Sequence, residues 1–151
     1  MLNDFELKHF NALTTKELYD IIAIRLNTFA FEQQIGYEDT DYKDINAYHL
    51  FLYKNNEMIA YCRLLEKGVA YKDAPSIGRV CVKKKFRTEG IGKELVKEAI
   101  KQINTLWHPN IIKISAQYYL VPFYIQLGFE IESGLYDEDG LPHQKMKLVN
   151  N

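Results

Sequence analysis

The sequence predicts a mixed α/β protein organised around one central sheet. Three observations carry that reading: a capped amphipathic helix near the amino end, three strand candidates with no helix between them, and a strand that runs through a glycine turn into a second amphipathic helix. A dinucleotide-binding fold is disfavoured, because its strands alternate with helices. At 151 residues and 17.7 kDa the chain is long enough to bury a core, and one domain over residues 1–151 is expected. Apolar residues are 47% and charged residues 26% of the chain, a globular balance that rules out disorder.

Thr14-Thr15-Lys16-Glu17 is a capping box, in which Thr14 accepts from the Glu17 N–H and the Glu17 carboxylate reaches back. Leu18, Ile21, Ile22, Arg25, Leu26 and Phe29 follow at three- and four-residue steps, which predicts a helix of about fifteen residues. The period fails near Phe31, and residues 32–44 read as a long acidic and aromatic loop. Strands are predicted at 49–53 and 58–65, joined at Asn55-Asn56, where paired asparagines tolerate positive φ. A further strand covers 77–82. From Gly90 the positions Ile91, Leu95, Val96, Ala99, Ile100 and Ile103 mark the second helix, which ends before Pro109. Residues 111–116 read as a buried strand and 118–127 as a short helix closed by Gly128. Phe129-Glu130-Ile131 starts another strand, Glu138-Asp139-Gly140 makes a turn, and 145–149 alternate like a final edge strand. The predicted order is strand, helix, loop, three strands, helix, strand, helix, two strands.

Nineteen basic residues against twenty acidic ones leave a net charge of −1, so a general grip on nucleic acid or an anionic membrane is not expected. The basic run Lys83-Lys84-Lys85-Phe86-Arg87 stands alone in this respect. No run approaches the roughly eighteen apolar residues of a membrane span, and the acidic amino end does not resemble a signal peptide. Cys62 and Cys81 lie in apolar runs and read as buried free thiols, which points to the cytoplasm. The four histidines are scattered and the cysteines lack ligand spacing, so no metal is expected.

The sharpest local feature is Val80-Cys81-Val82 followed by Arg87-Thr88-Glu89-Gly90-Ile91-Gly92 and a helix. A strand feeding a glycine turn at a helix N-terminus leaves a nest of free N–H groups, and Arg87 adds a forked cation, an arrangement suited to a pyrophosphate. Gly92-Lys93-Glu94 lacks the spacing and hydroxyl of a Walker loop, and Leu95 occupies the third glycine position of the dinucleotide fingerprint. A plain flexible helix start is the alternative for Gly-x-Gly alone.

Arg87-x-x-Gly90-x-Gly92 after an apolar strand resembles the Arg/Gln-x-x-Gly-x-Gly/Ala motif of the GNAT superfamily of N-acetyltransferases. Phe123-Tyr124-Ile125-Gln126-Leu127-Gly128-Phe129 looks like that superfamily's Phe-Tyr-x-x-x-Gly-Phe signature, at the matching interval. The ElaA-like subgroup is resembled over nearly the whole chain: by Arg25-x-x-x-Phe29-x-x-Glu32-Gln33 leading to Tyr37 and Asp41, by Ile77-Gly78-Arg79-Val80, by Gln117, and by Tyr136-x-Glu138-Asp139-Gly140-x-Pro142-His143. The resemblance implies a mostly antiparallel sheet flanked by about four helices, with strands 4 and 5 splayed. It also implies an acetyl-CoA-dependent transferase.

Carried over, the backbone of Val80, Cys81 and Val82 would pair with the pantetheine arm. Arg87, Thr88, Glu89, Gly90, Ile91, Gly92 and Lys93 would wrap the pyrophosphate, with Gln117 and Phe123 also on the cofactor. A backbone N–H near Val82 would polarise the acyl carbonyl. Lys83, Lys84 and Lys85 would attract a 3′-phosphate or merely form a solvated basic face. Tyr124 matches the general acid by position, though it could simply pack against the sulfur end. The glutamate that many relatives carry on the fourth strand is missing from Ile77-Gly78-Arg79. The base candidates are Glu32, Asp41, His49 and His143, or a water chain; His143 is attractive because imidazole titrates near neutrality, although an ordinary hydrogen-bonded histidine is the plainer reading. Arg25, Glu32, Tyr37, Asp39, Asp41 and Glu138 could write an acceptor pocket for a cationic amine such as a polyamine, an aminoglycoside or a lysine side chain. Alternatively, Arg25 and Glu32 pair with each other along one helical face. A small-molecule or protein amine acceptor is implied, in a monomer or homodimer; the competing reading is a non-catalytic acyl-CoA sensor or regulatory module.

Overall fold

The computed structural model describes residues 4–36 and 38–150. Among the described residues eight strands form one sheet: β1 (Glu6–His9), β2 (Tyr48–Lys54), β3 (Glu57–Leu65), β4 (Ser76–Val82), β5 (Ile111–Gln117), β6 (Glu130–Ile131), β7 (Tyr136–Glu138) and β8 (Leu141–Val149). The sheet order is β1-β2-β3-β4-β5-β8-β6, with β7 also paired to β8, and every pairing is antiparallel except β4 with β5. Three α-helices flank it: α1 (Thr15–Arg25), α2 (Ile91–Trp107) and α3 (Val121–Gln126).

The capping box forms as expected, with Thr14 Oγ1 accepting from the Glu17 N–H at 3.0 Å and Glu17 Oε1 from the Thr14 N–H at 2.9 Å. Ile21, Ile24, Arg25, Thr28 and Phe29 then form the buried stripe. The period breaks earlier than the expected point near Phe31, because after Arg25 the helix widens into a π-helical segment, Leu26–Glu32, whose end is marked by the Gln33 N–H donating to the Thr28 carbonyl at 3.1 Å. Leu26 and Phe31 consequently face outward. The β2–β3 hairpin turns on Asn55 (φ 50°) and Asn56 (φ 63°).

One face of the sheet buries Phe51, Met58, Tyr61 and Cys81 beneath α1; the other buries Leu50, Leu52, Ile59, Ile112 and Ile114 beneath α2 and α3. Gly128 closes α3 at φ +101°, where a Cβ would also meet Leu148 Cδ1 at 3.0 Å.

The carboxyl-terminal end differs from the expectation. β8 begins at Leu141 and is an interior strand, between β5 and β6, rather than an edge strand over 145–149. Pro142, near its start, masked it in the sequence; proline is tolerated there because the ladder does not need its N–H. The turn at Asp139-Gly140 thereby joins a third strand, β7, to β8 as a hairpin.

Between β4 and β5 a single ladder pair, Ser76 with Lys113, joins the strands before they part. β4 carries a bulge just beyond it: Tyr61 faces Cys81 and Arg63 faces Gly78, so Arg79 and Val80 together oppose Cys62. Arg79 sits at φ 52°. This divergence positions the site.

Candidate active site

The parted strands open a cavity of ≈ 360 Å³ walled by Val80, Cys81 and Val82 of β4, Thr28, Phe29 and Gln33 from the end of the first helix, Arg87, Gly92, Gln117, Tyr119, Leu120, Phe123 and Tyr124. The β4 backbone beyond Ser76 is not paired with β5, so apart from the Val82 carbonyl, which Arg87 takes up, this edge is open to a ligand. At the other end of the cavity α2 begins on Gly90, in the left-handed conformation (φ 76°), with no side chain capping the first turn. The helix therefore presents its leading N–H groups and positive dipole end outward. Gly92 looks into the cavity, a Cβ there standing 3.8 Å from Val82 Cγ2 and 3.9 Å from Phe123 Cζ. Together these features suit an extended ligand with an anionic end.

Arg87 reaches back to the strand: its Nε donates to the Val82 carbonyl at 2.8 Å and its Nη2 to Glu32 Oε2 at 2.7 Å. Thr88, Glu89 and Lys93 are exposed around the turn, whereas the Ile91 side chain is buried in the core, leaving only its backbone to the cavity side. Lys83 and Lys85 are both paired to Glu57, at 2.7 and 3.2 Å, so much of the local positive charge is already balanced. Burial pushes the Cys81 thiol up to about 12 and also raises the Cys62 thiol well above its ordinary value, so both stay protonated and serve as wall and core.

A second recess, of ≈ 110 Å³, lies on the other side of Tyr124 and shares Phe29, Val80, Gln117, Leu120 and Tyr124 with the first. Tyr124 is 6% exposed, and burial raises its phenol above the ordinary range, so it is neutral at any physiological pH. Its ring makes edge contacts with Phe123 (5.1 Å) and Phe129 (5.8 Å), and its hydroxyl has no hydrogen bond to a described residue. The recess also holds His143, Glu138, Asp139, Ser115, Gly78 and the β4 bulge at Arg79-Val80. Gln117 and Gln33 clasp each other where the two cavities meet, Gln117 Nε2 donating to Gln33 Oε1 at 3.0 Å.

Tyr124, His143 and Glu138 are thus brought to one place, with Val80–Val82, Arg87, Gly92, Gln117 and Phe123 around the adjoining cavity. Other expectations need correcting. Arg25 is 1% exposed and lines neither cavity; it donates to Asp39 and to Asp44 Oδ1 (2.7 Å), not to Glu32, which the π-helical turn carries away to Arg87. Asp41 is engaged by Arg63 at 2.8 and 3.0 Å and by Arg79, and also stands outside both cavities. His49 is buried beneath the same cluster, with Nε2 at 3.0 Å from the Asp44 carbonyl and Nδ1 at 2.7 Å from the Tyr61 hydroxyl, and burial lowers its pKa. Neither Asp41 nor His49 can serve as a base from there. Tyr37 lies outside the described residues. β4 carries no carboxylate along its length. Ser115 and the Arg79 bulge were missed, and Tyr136 entered only as part of the subgroup pattern, without a site role; Gly78 inside a strand pattern was the available signal for the bulge. Among the described residues no three His, Cys, Asp or Glu side chains converge as a metal set, and no helix is long and apolar enough to cross a membrane.

The model of the acetyltransferase (GNAT) domain family matches residues 19–150. A UPF0039 protein of Schizosaccharomyces pombe is 36% identical over 147 residues, covering 96% of each chain. Protein ElaA of Escherichia coli is 31% identical over 137 residues, 89% of each, and its crystal structure matches with a TM-score of 0.89 over 95% of this chain and 97% of that one. An acyl-CoA N-acyltransferase from Pseudomonas aeruginosa, 32% identical, matches with a TM-score of 0.90 over 97% and 99%.

Proposed function

This chain belongs to the GNAT acetyltransferase family, in its ElaA-like branch, and from that premise we propose that it moves an acetyl group from acetyl-CoA to a primary amine by direct attack within a ternary complex. The observation that carries the reading is the shared wall at Tyr124: a long cavity ending on a helix N-terminus lies on one side, and a recess with a histidine and a carboxylate lies on the other. In this reading Val80, Cys81 and Val82 bind the pantetheine arm by their backbone, Arg87 to Lys93 hold the pyrophosphate, and the acyl carbonyl lies against an N–H near Val82. His143 accepts the proton of the acceptor amine, and Tyr124 delivers one to the departing thiolate. The acceptor is a small molecule or a protein amine, and the whole chain acts as one cytoplasmic domain, monomeric or homodimeric.

The fit to the cofactor is supported by the free β4 edge and by the absence of any side chain at Gly92, where the first turn of α2 faces the cavity. Calorimetric titration with acetyl-CoA tests it. Micromolar binding is expected, and Gly92→Trp, whose ring would fill the cavity between Val82 and Phe123, abolishes it. Release of free thiol on adding an amine then identifies a transferase. Tight binding with no thiol release across an amine panel would favour the sensor reading, for which the lack of a carboxylate on β4 speaks.

A further inference from the structure

The recess beside Tyr124 contains an imbalance of hydrogen-bonding groups. His143 Nδ1 is 2.9 Å from the Leu141 carbonyl oxygen, which can only accept, so in the neutral ring the proton is on Nδ1 and Nε2 carries the lone pair. Nε2 stands 3.4 Å from Glu138 Oε2, which also only accepts when ionised. With the ring neutral, two acceptors stand side by side, and a donor that approaches from the recess can reach both. Both are held in place: the His143 side chain is 8% exposed and lies against the Tyr136 ring, while Ser115 donates to Glu138 Oε1 at 3.0 Å and is itself hydrogen-bonded to the Tyr136 hydroxyl. Asp139 adds negative charge to the lining, and Arg79, which also lines the recess, is directed to Asp39 and Asp41.

We propose that this gap seats the ammonium group of the acceptor, with Glu138 as its carboxylate clamp and His143 Nε2 as the atom that receives its proton. The inference rests on the acetyl-transfer reading for its chemical outcome, though the binding site is defined without it. A primary ammonium brings positive charge and several N–H donors, so one nitrogen satisfies both acceptors at once. Phe29, Ile35, Ile77 and Ile114 flank the recess, which suits a slender alkyl arm behind the nitrogen and rejects a branched or aryl one. On activation an N–H bond of the ammonium breaks and an Nε2–H bond forms. The electron pair remains on the amine nitrogen as the nucleophile. The new imidazolium then stands 3.4 Å from Glu138 Oε2, so the same carboxylate serves as counter-ion before and after transfer. Glu138 in this way stands in for the carboxylate that β4 lacks.

The test is titration of histidine-labelled protein with n-butylamine hydrochloride at neutral pH, following the ring signals of His143. A saturable shift is expected, with Glu138→Gln weakening binding by about 2–5-fold, as befits a half-exposed carboxylate, and Glu138→Asp recovering part of the loss. 1-Butanol, which lacks the charge, and butyltrimethylammonium, which lacks the N–H donors, leave His143 unmoved. Equal affinity in Glu138→Gln and wild type, an equal response to butanol, or no response to butylammonium each overturns the clamp. Acetyl-CoA binding and thiol release on the same samples report separately. Thiol release with n-butylamine while His143 stays unmoved would sink the clamp and leave the transferase standing; ammonium binding without acetyl-CoA binding would do the reverse.

Discussion

Replacing Tyr124 by phenylalanine removes one oxygen from the wall between the two cavities. The ring contacts with Phe123 and Phe129 survive the change, and the hydroxyl has no hydrogen bond to a described residue, so the stability cost is expected within about 0.5 kcal/mol. The catalytic cost is a different matter. A thiolate leaving into a cavity walled by Val80, Val82, Leu120 and Phe123 is poorly solvated and needs a proton as the bond breaks. Burial keeps the Tyr124 phenol protonated well past neutrality, so the donor is available over the whole useful pH range. Losing a positioned general acid costs about 10²–10⁴-fold in rate, or roughly 3–5 kcal/mol of barrier. Thiol release at saturating amine measures kcat, calorimetry with CoA measures the cofactor site, and a thermal melt checks the fold. Wild-type turnover in Tyr124→Phe would refute the acid role. So would a loss of CoA affinity that matches the loss of rate, because that would make the side chain a binding contact.

The two glycines of the turn should separate cleanly. Gly90→Ala forces a left-handed φ on a residue with a Cβ and costs about 1–2 kcal/mol, a fall in Tm of roughly 2–8 °C, whereas Gly92→Ala meets only ordinary contacts and leaves the Tm unchanged. Glu32→Gln releases Arg87 from its ion pair and should tighten CoA binding by about 2–5-fold, the small effect expected of a half-exposed pair, while Arg87→Ala weakens it; calorimetry decides, and weaker binding by Glu32→Gln would refute the competition. For Asp41 and Asp44, burial pushes the carboxyls up but Arg63 and Arg25 outweigh it, so both folded pKa values lie below the ordinary aspartate range. Their contribution to stability is therefore full above about pH 4 and is lost as pH falls below it, which acid melts should display. Arg25→Met removes one of the two guanidinium groups that hold each of Asp39 and Asp44, leaving Arg79 and Arg63 respectively, and should cost about 3–5 kcal/mol, which denaturant unfolding would measure.

Much of the longer cavity was legible because its signals are local. Gly90 and Gly92 follow an apolar strand at fixed spacing, and Phe123-Tyr124 with Gly128-Phe129 lies within a single helix and its cap. The smaller recess and the acidic loop were less legible because their partners are distant in sequence. Arg25 occupies a position on the apolar stripe of α1, yet its partners lie 14 and 19 residues ahead. Glu32 looks like a neighbour of Arg25 on a regular helix; the π-helical turn changes its direction, and it meets Arg87, 55 residues away. His143 was singled out, but its role depends on the β7–β8 hairpin, and Pro142 hid the strand that brings Tyr136 and Glu138 alongside it.

The acidic loop has a different purpose from the one its composition suggests. To open the cleft, β4 must leave β5, and it does so through a bulge whose residue Arg79 is left-handed at a cost of about 1–2 kcal/mol. The Arg79 guanidinium is held by Asp39 and Asp41, which are gripped in turn by Arg25 and Arg63, and Asp44 joins those two arginines. Three arginines against three aspartates sum to no net charge, so the cluster offers little field to attract a cation. Asp39, 7% exposed, could bind an acceptor only by abandoning buried guanidinium groups, and a single new ion pair with an amine would not offset that loss. The loop therefore braces the bulge from outside the sheet, and the negative charge available to an amine comes from the far wall of the recess, on the hairpin that carries Glu138 and Asp139.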